Sequence, residues 1–342
     1  MIQSETIGKA KNAKGPESPW RSSLRQLSRN KAAMGALAVF LFVVTICLLA
    51  PVYAHDIAHD NPFVSNLQGT TVLHGKVVSL LQANTQGLGL GVTPIGPTWN
   101  FSHYFLGADE QGRDVFARLL YGGRTSLFIG ATSALLCCAV AALLGLVAGY
   151  FGGPIDWVLS RIFDIVWAFP IYLLAISLSV VLLTSGLQIG FIHIGPGSLL
   201  LPILIIAAVF VPYVARPLRG MVLSLREREF IQAAVGSGAS DARILWKEIL
   251  PNAAPSIIVF LPLMVAFNML TESALSFLSI GVQPPAASWG TIINDGLGLL
   301  YTRPAVAMAP GIMIVITAVS LNILGDGARD AFDPKAKLRG SI

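Results

Sequence analysis

Apolar residues run along this chain in six long blocks, at residues 32–50, 125–149, 165–183, 198–215, 256–280 and 304–324. Each is close to the ~20 residues that carry a helix across a bilayer at about 1.5 Å per residue. Lipid offers the backbone no hydrogen-bond partner, so the blocks are expected to be helices. The alternating ten-residue segments of a transmembrane β-barrel do not occur. Pro51 is expected to close the first helix, and Pro170 and Pro262 to kink the third and fifth. In the second block Gly130, Ala134, Gly145 and Gly149 recur at spacings that let helices approach closely in lipid.

Three stretches between the blocks carry further pattern. Residues 51–100 are rich in Gly, Pro, Asn and Thr and read as irregular. Residues 109–124 read as an amphipathic helix lying on the membrane surface, with Val115, Leu119 and Leu120 on one face and Arg113 and Arg118 turned elsewhere. Residues 216–255 form a connection of about 40 residues, far beyond an ordinary loop. Its pattern predicts a helix over 226–237, ended by Gly238, whose lack of a Cβ tolerates positive φ. Ser240 is placed to cap a second helix from Asp241. Ile244, Leu245 and Ile249 give that helix an apolar stripe, and Pro251 is expected to stop it. A helix–turn–helix of this kind suits docking into a groove on a soluble partner.

Composition sharpens the membrane reading. Charged residues make up 12% of the 342, against about 25% in soluble domains, and the mean hydropathy is +0.69. This excludes a disordered chain, a nucleic-acid-binding tail protein and most soluble enzymes. Eighteen of the 23 Lys and Arg fall in the two termini, near Arg161 and in the 216–255 loop. The other five are Lys76, Arg113, Arg118, Arg124 and Arg303. The richer side is expected to be cytoplasmic, which puts both termini inside. Residues 1–31 are then a basic cytoplasmic tail, 51–124 a periplasmic loop and 325–342 a second cytoplasmic tail. The N-terminal apolar run follows 31 polar residues and lacks a small-residue cleavage site, so it reads as a retained helix rather than a signal peptide.

Little chemistry stands out. Cys47, Cys137 and Cys138 lie in apolar blocks and read as packing residues. His55, His59, His74 and His103 share one loop without metal-ligand spacing, and His193 reads as a surface residue. Neither a metal nor another cofactor is expected. No Gly-x-x-x-x-Gly-Lys-Ser/Thr sequence occurs, so the chain is not expected to hydrolyse ATP. Gly236-Ser237-Gly238 lacks the full nucleophile-elbow pattern. Asp164, at a block edge near Arg161, reads as a local ion pair. Glu272 is the sharpest residue, because a carboxylate inside a spanning block costs about 2.5–3.5 kcal/mol on insertion scales. Asn268 lies one turn away on the same face. Either both line a translocation route, or Glu272 bonds across a helix interface.

Gln232-Ala233-Ala234, Gly238 and Leu250-Pro251 resemble the signature loop of ABC importer permeases. The family pattern is Glu-Ala-Ala, then Gly, then Leu-Pro at this spacing. The departures are Gln232 in place of Glu and Glu248 in place of a basic or apolar residue. The stretch 106–114 (Leu-Gly-Ala-Asp-Glu-Gln-Gly-Arg-Asp) is similar to the segment before the second helix of dipeptide and oligopeptide permeases. Ala274 to Pro285, Ser288-Trp289-Gly290, Asn322 to Gly327 and Arg329 to Pro334 resemble later parts of the same family. The likeness covers the chain apart from about residues 55–98 and points to the C-type permease.

The resemblance implies an all-α integral membrane protein with six transmembrane helices in the type I ABC importer permease fold. It implies a second homologous permease, two cytosolic ATPase subunits that bind the ATP, and a periplasmic substrate-binding protein. Gln232, Ala233, Ala234, Gly238, Leu250 and Pro251 would meet an ATPase subunit, and Asn268 and Glu272 would line the path. Di- and oligopeptides are the expected cargo, with nickel complexes or another small solute as variants. The competing readings are an ion-coupled secondary transporter, which would need more intramembrane charge or internal repeats, and a membrane-embedded hydrolase, for which no nucleophile–base pair lies in the blocks.

Overall fold

The computed structural model describes residues 19–73, 75–83, 91–190 and 192–332. Helix α1 (Pro19–Arg29) leads into α2 (Lys31–Leu48), which starts where the Asn30 side chain accepts the amides of Ala32 and Ala33 at 3.1 and 3.2 Å. Pro51 does not end this helix. It occupies the first turn of α3 (Ala50–Val52), where its missing N–H costs nothing, and a π turn over Tyr53–Ile57 continues the coil.

Residues 51–100 are more regular than their composition suggests. Strands β1 (Thr70–Leu73) and β2 (Lys76–Ser79) form one hairpin, and β3 (Leu81–Ala83) and β4 (Val92–Pro94) a second. The amide of Ile95 donates to the Leu80 carbonyl at 2.8 Å, and that of Ala108 to Ile95 at 3.1 Å. These bonds stack the hairpins on the turn before α4, around buried Leu80, Ile95, Tyr104 and Ala108.

The surface helix expected over 109–124 does not form. Residues 108–114 make a tight turn, and α4 (Val115–Phe151) then runs unbroken for 37 residues, about 55 Å. The Gly122-Gly123 pair lies where the two parts join, yet it does not break the helix, because both glycines are packed against Cys47, Ser288 and Trp289. The third block is also not one helix. Helix α5 (Gly153–Ala168) meets α6 (Ile171–Ser185) at 90°. Phe169, forced toward extended backbone by Pro170, sits at φ −90°, ψ 139°.

A short hairpin of β5 (Leu187–Ile189) and β6 (Ile192–Ile194) precedes α7 (Leu200–Arg226). Then come α8 (Glu229–Gly236), α9 (Asp241–Arg243) and a π turn over Ile244–Ile249. Helix α10 (Leu250–Phe277) follows without interruption. Pro251 therefore stops nothing. It lies in the first turn of α10 just after the π turn, whose wider register absorbs the lost N–H. Pro262 and Pro255 also sit inside α10. Helix α11 (Trp289–Asp295) and α12 (Ala305–Phe332) complete the described residues. Among the described residues, five helices are long and apolar enough to span a membrane, and the bent α5–α6 pair makes a sixth candidate.

Helix α4 is the centre of the bundle. A Cβ on Gly145 would lie 2.9 Å from the Ala215 carbonyl, and one on Gly149 would lie 2.7 Å from Val222 Cβ, so α7 packs backbone to backbone there. Gly130 gives α10 the same approach, 2.9 Å from Met269 Cβ. Cys47, Cys137 and Cys138 are free and buried in the core. One pole carries α1, the end of α12 and the α8–α9 loop; the other carries the strand hairpins and α11. Gly149→Ala is expected to cost about 1–3 kcal/mol of stability by overpacking the α4–α7 contact. Gly311→Ala on α12, where the added Cβ meets nothing of another helix within 4 Å, is expected to change little. Thermal unfolding of the two variants in detergent checks the contrast.

Candidate functional site

At the pole of α1 and the end of α12 the chain builds a small helical unit. Helix α8 ends with the amide of Ala239 bonded to the Ala234 carbonyl at 3.1 Å, and that of Gly238 to Val235 at 2.9 Å. Gly238 has φ +75°, the left-handed conformation such a helix stop requires. Ser240 stands at the N-cap of α9, but its side chain makes no capping bond. Ser237 donates its hydroxyl to the Ala233 carbonyl at 2.7 Å, and no base among the described residues bonds it. Gln232 and Ala233 are exposed, Ala234 half-buried, and Gln232 Nε2 donates to the Arg226 carbonyl at 3.1 Å. Leu250 is half-buried and Pro251 exposed at the start of α10.

This unit is fixed to the bundle rather than hung from it. Ile231, Ile244 and Ile249 are buried against Leu146 and Tyr150 of α4 and Val222 of α7. Tyr150 donates its hydroxyl to Asp241 Oδ1 at 2.7 Å. Phe230, Val235 and Trp246 remain exposed on the outer side. Two acids of α5 also reach α7: Asp156 pairs with Arg219, and Asp164 with Arg216. The local Asp164–Arg161 pair is present at 3.4 Å, and the Arg216 guanidinium stacks on Trp167 at 3.9 Å. Sequence spacing gave no sign of the two longer-range pairs.

Asn268 and Glu272 are both 0% exposed, at the junction of α4, α10 and α11. The Asn268 amide lies 3.1 Å from the Ser133 hydroxyl of α4. Glu272 Oε1 accepts from Ser276 Oγ at 2.7 Å, and Oε2 from Ser273 at 3.4 Å. Ser126 and Ser288 also face the carboxylate. Ser276 Oγ in turn accepts the Val282 amide at 3.0 Å, and Ser126 accepts the Trp289 amide at 3.1 Å. Gly290 rests on the Ser273 backbone so closely that no Cβ fits. These serines were not legible as a site, because isolated serines in apolar blocks carry no spacing signal.

At the opposite pole Arg113 and Arg118 are not turned outward, as the amphipathic reading expected, but buried. Arg113 Nε bonds Asp109 Oδ2 at 2.7 Å, and both guanidiniums converge on Asp295 Oδ2 at 3.0 and 2.8 Å. Burying two cations needs paired carboxylates, and the Asp109 turn and the end of α11 supply them. Asp114 caps α4 through the amides of Phe116 and Ala117 at 2.8 and 3.0 Å, and also accepts the Tyr104 amide at 3.0 Å. Burial pushes Asp114 up to about 6 despite these bonds. His59 Nδ1 bonds the His55 carbonyl at 2.8 Å, but no cluster that could hold a metal occurs among the described residues, His103 and His193 included. His74 lies outside them.

Asp295→Asn is expected to cost near the lower end of ~3–5 kcal/mol, since Asp295 is itself partly exposed. A fall in the unfolding temperature, reversed in part by the further change Arg113→Gln, checks it. Because Asp114 is raised in the folded state, its contribution is full below an unfolded carboxylate value of about 3.9 and lost as pH rises through about 6. Asp114→Asn keeps a capping side chain and is expected to flatten the stability slope between pH 4 and 6.

Comparison with known proteins places this architecture. Residues 141–338 match the family described as binding-protein-dependent transport system inner membrane component. Residues 18–69 match the N-terminal transmembrane domain of oligopeptide transport permease C. A dipeptide transport system permease protein of Alkalihalophilus pseudofirmus is 36% identical over 94% of this chain and 91% of its own length. An oligopeptide transport system permease protein of Bacillus subtilis is 33% identical over 93% and 90%. A glutathione transport system permease protein of Pectobacterium atrosepticum is 38% identical over 69% and 74%. The spanning helices, the 141–338 match and this identity along nearly the whole length make one conclusion: the chain is a multi-pass inner-membrane protein belonging to the binding-protein-dependent ABC importer permease family.

Proposed function

We propose that this permease imports di- or oligopeptides as one of two homologous membrane subunits of an ATP-driven transporter. Two cytosolic ATPase subunits bind and hydrolyse the ATP, and a periplasmic binding protein delivers the cargo. The cargo class is supported by the relatives, whose named substrates (dipeptides, oligopeptides and glutathione) are all peptides. The ion-coupled alternative has no such support. The basic pole, with α1 and the end of α12, is the cytoplasmic side in this reading.

The observation that carries the mechanism is the attachment of α8 and its Gly238 turn to α4, α7 and α10 at once. An ATPase subunit gripping Gln232, Ala233, Ala234 and Gly238 on one side, and Leu250 and Pro251 on the other, would push three spanning helices together. The buried isoleucines make that push rigid, because a packed apolar contact resists compression. Alternating access then follows from the two permeases rocking about their shared path. Asn268 and Glu272 can line that path only when α10 parts from α4 and α11. In the state described they hold these helices together.

Ile231→Asp is expected to leave the ATPase activity of the assembled transporter within about twofold while cutting peptide uptake at least tenfold, an uncoupling of about 1.4 kcal/mol or more. Uptake and hydrolysis measured in the same proteoliposomes check it. Glu272→Gln separates the two roles of that carboxylate: reduced uptake at unchanged thermal stability supports the pathway, and unchanged uptake removes it.

A further inference from the structure

A groove with a cavity of about 740 Å³ runs between α2 and α4, floored by Phe40, Val44 and Leu48 on one side and Phe128 and Ala131 on the other. Arg124 and Tyr121 also line it. The register of the two helices places these residues at one end. Gly123 sits directly against the Cys47 side chain, so Arg124 is level with the last turn of α2. Phe40 and Ala131 lie some seven or eight residues further along, about 12 Å deeper in the bilayer. Arg124 thus stands where the apolar run of α2 ends, at the boundary between hydrocarbon and headgroups.

Its electrostatic position is unlike that of the neighbouring arginines. Arg113 and Arg118 are bonded to Asp109 and Asp295, and Arg303 donates to the Pro94 carbonyl at 2.6 Å. Arg124 is exposed, and no carboxylate among the described residues pairs with it. Its guanidinium lies over the Tyr121 ring, 5.6 Å from the centroid. The contact holds the cation over an aromatic face and leaves its donors free.

We propose that this groove binds an anionic phospholipid, with the phosphate on Arg124 and one acyl chain laid along α2 and α4. The cation at the lip decides against a protein helix as the occupant. A covering helix would bury an unpaired guanidinium, whereas a lipid brings the missing negative charge and an apolar tail together. The lipid would fill the space between the first helix and the bundle centre, and so set how firmly α2 is held to α4. The site is independent of the cargo and of the ATPase coupling argued above.

The assembled transporter, purified in detergent, is titrated with phosphatidylglycerol and with phosphatidylcholine of matched chains, and bound lipid is counted by native mass spectrometry. One arginine near an anionic headgroup corresponds to a preference of about fivefold for phosphatidylglycerol. Arg124→Gln is expected to abolish that preference, and Arg124→Lys to keep most of it. Ala131→Trp, which fills the groove, is expected to remove the tightly held lipid of either kind. A preference that survives Arg124→Gln overturns the proposal. So does efficient cross-linking of Phe128→Cys to the second permease subunit in native membranes, in a background without the other cysteines, because the groove would then be a protein interface.

Discussion

Backbone-to-backbone approach along α4 is the constraint on which the rest depends. In lipid, helices gain nothing from hiding apolar surface, since the tails are as apolar as leucine, so association rests on dispersion at short range and on polar pins. Gly145 and Gly149 bring α7 against α4, Gly130 brings α10, and Gly122 and Gly123 admit the Ser288–Ile292 turn and Trp289. A methyl group at any of these would push a whole helix away. The polar joint around Glu272 can form only because three backbones already meet there.

The polar groups then fall into a consistent order. Deep in the bundle a carboxylate is met by serines from α4, α10 and the cap of α11. At the hairpin pole, two buried arginines are shared between the Asp109 turn and the end of α11. At the other pole, Asp156 and Asp164 tie α5 to α7, while Tyr150 ties α4 to the α9 cap. Each pin joins elements far apart in sequence, so the membrane core and both polar ends move as connected parts. That connection is what the proposed drive from the α8–α9 pole requires.

Some of the local punctuation misled. Pro51 and Pro251 looked like helix ends, yet each lies in a first turn where no N–H is needed, with a π turn beside it. Arg113 and Arg118 looked like the wet side of a surface helix, because their partner Asp295 is about 180 residues away. Gly238 was read rightly for a local reason: a helix stop with positive φ is settled within six residues.

The sequence by itself determined the number and rough extent of the spanning blocks, the likeness of the 232–251 loop to a coupling motif, and the glycines that mark close packing. These follow from length, hydropathy and steric rules that act over one or two helical turns. Tertiary structure alone decided that α5 and α6 meet at a right angle, that α4 runs unbroken from Val115 to Phe151, and that Asn268 and Glu272 are sealed in a joint. It also decided that Arg113 and Arg118 are neutralised and that Arg124, at the edge of an apolar groove, has no carboxylate partner among the described residues. Charge pairing depends on what the fold brings within about 4 Å, and one sequence does not record that distance.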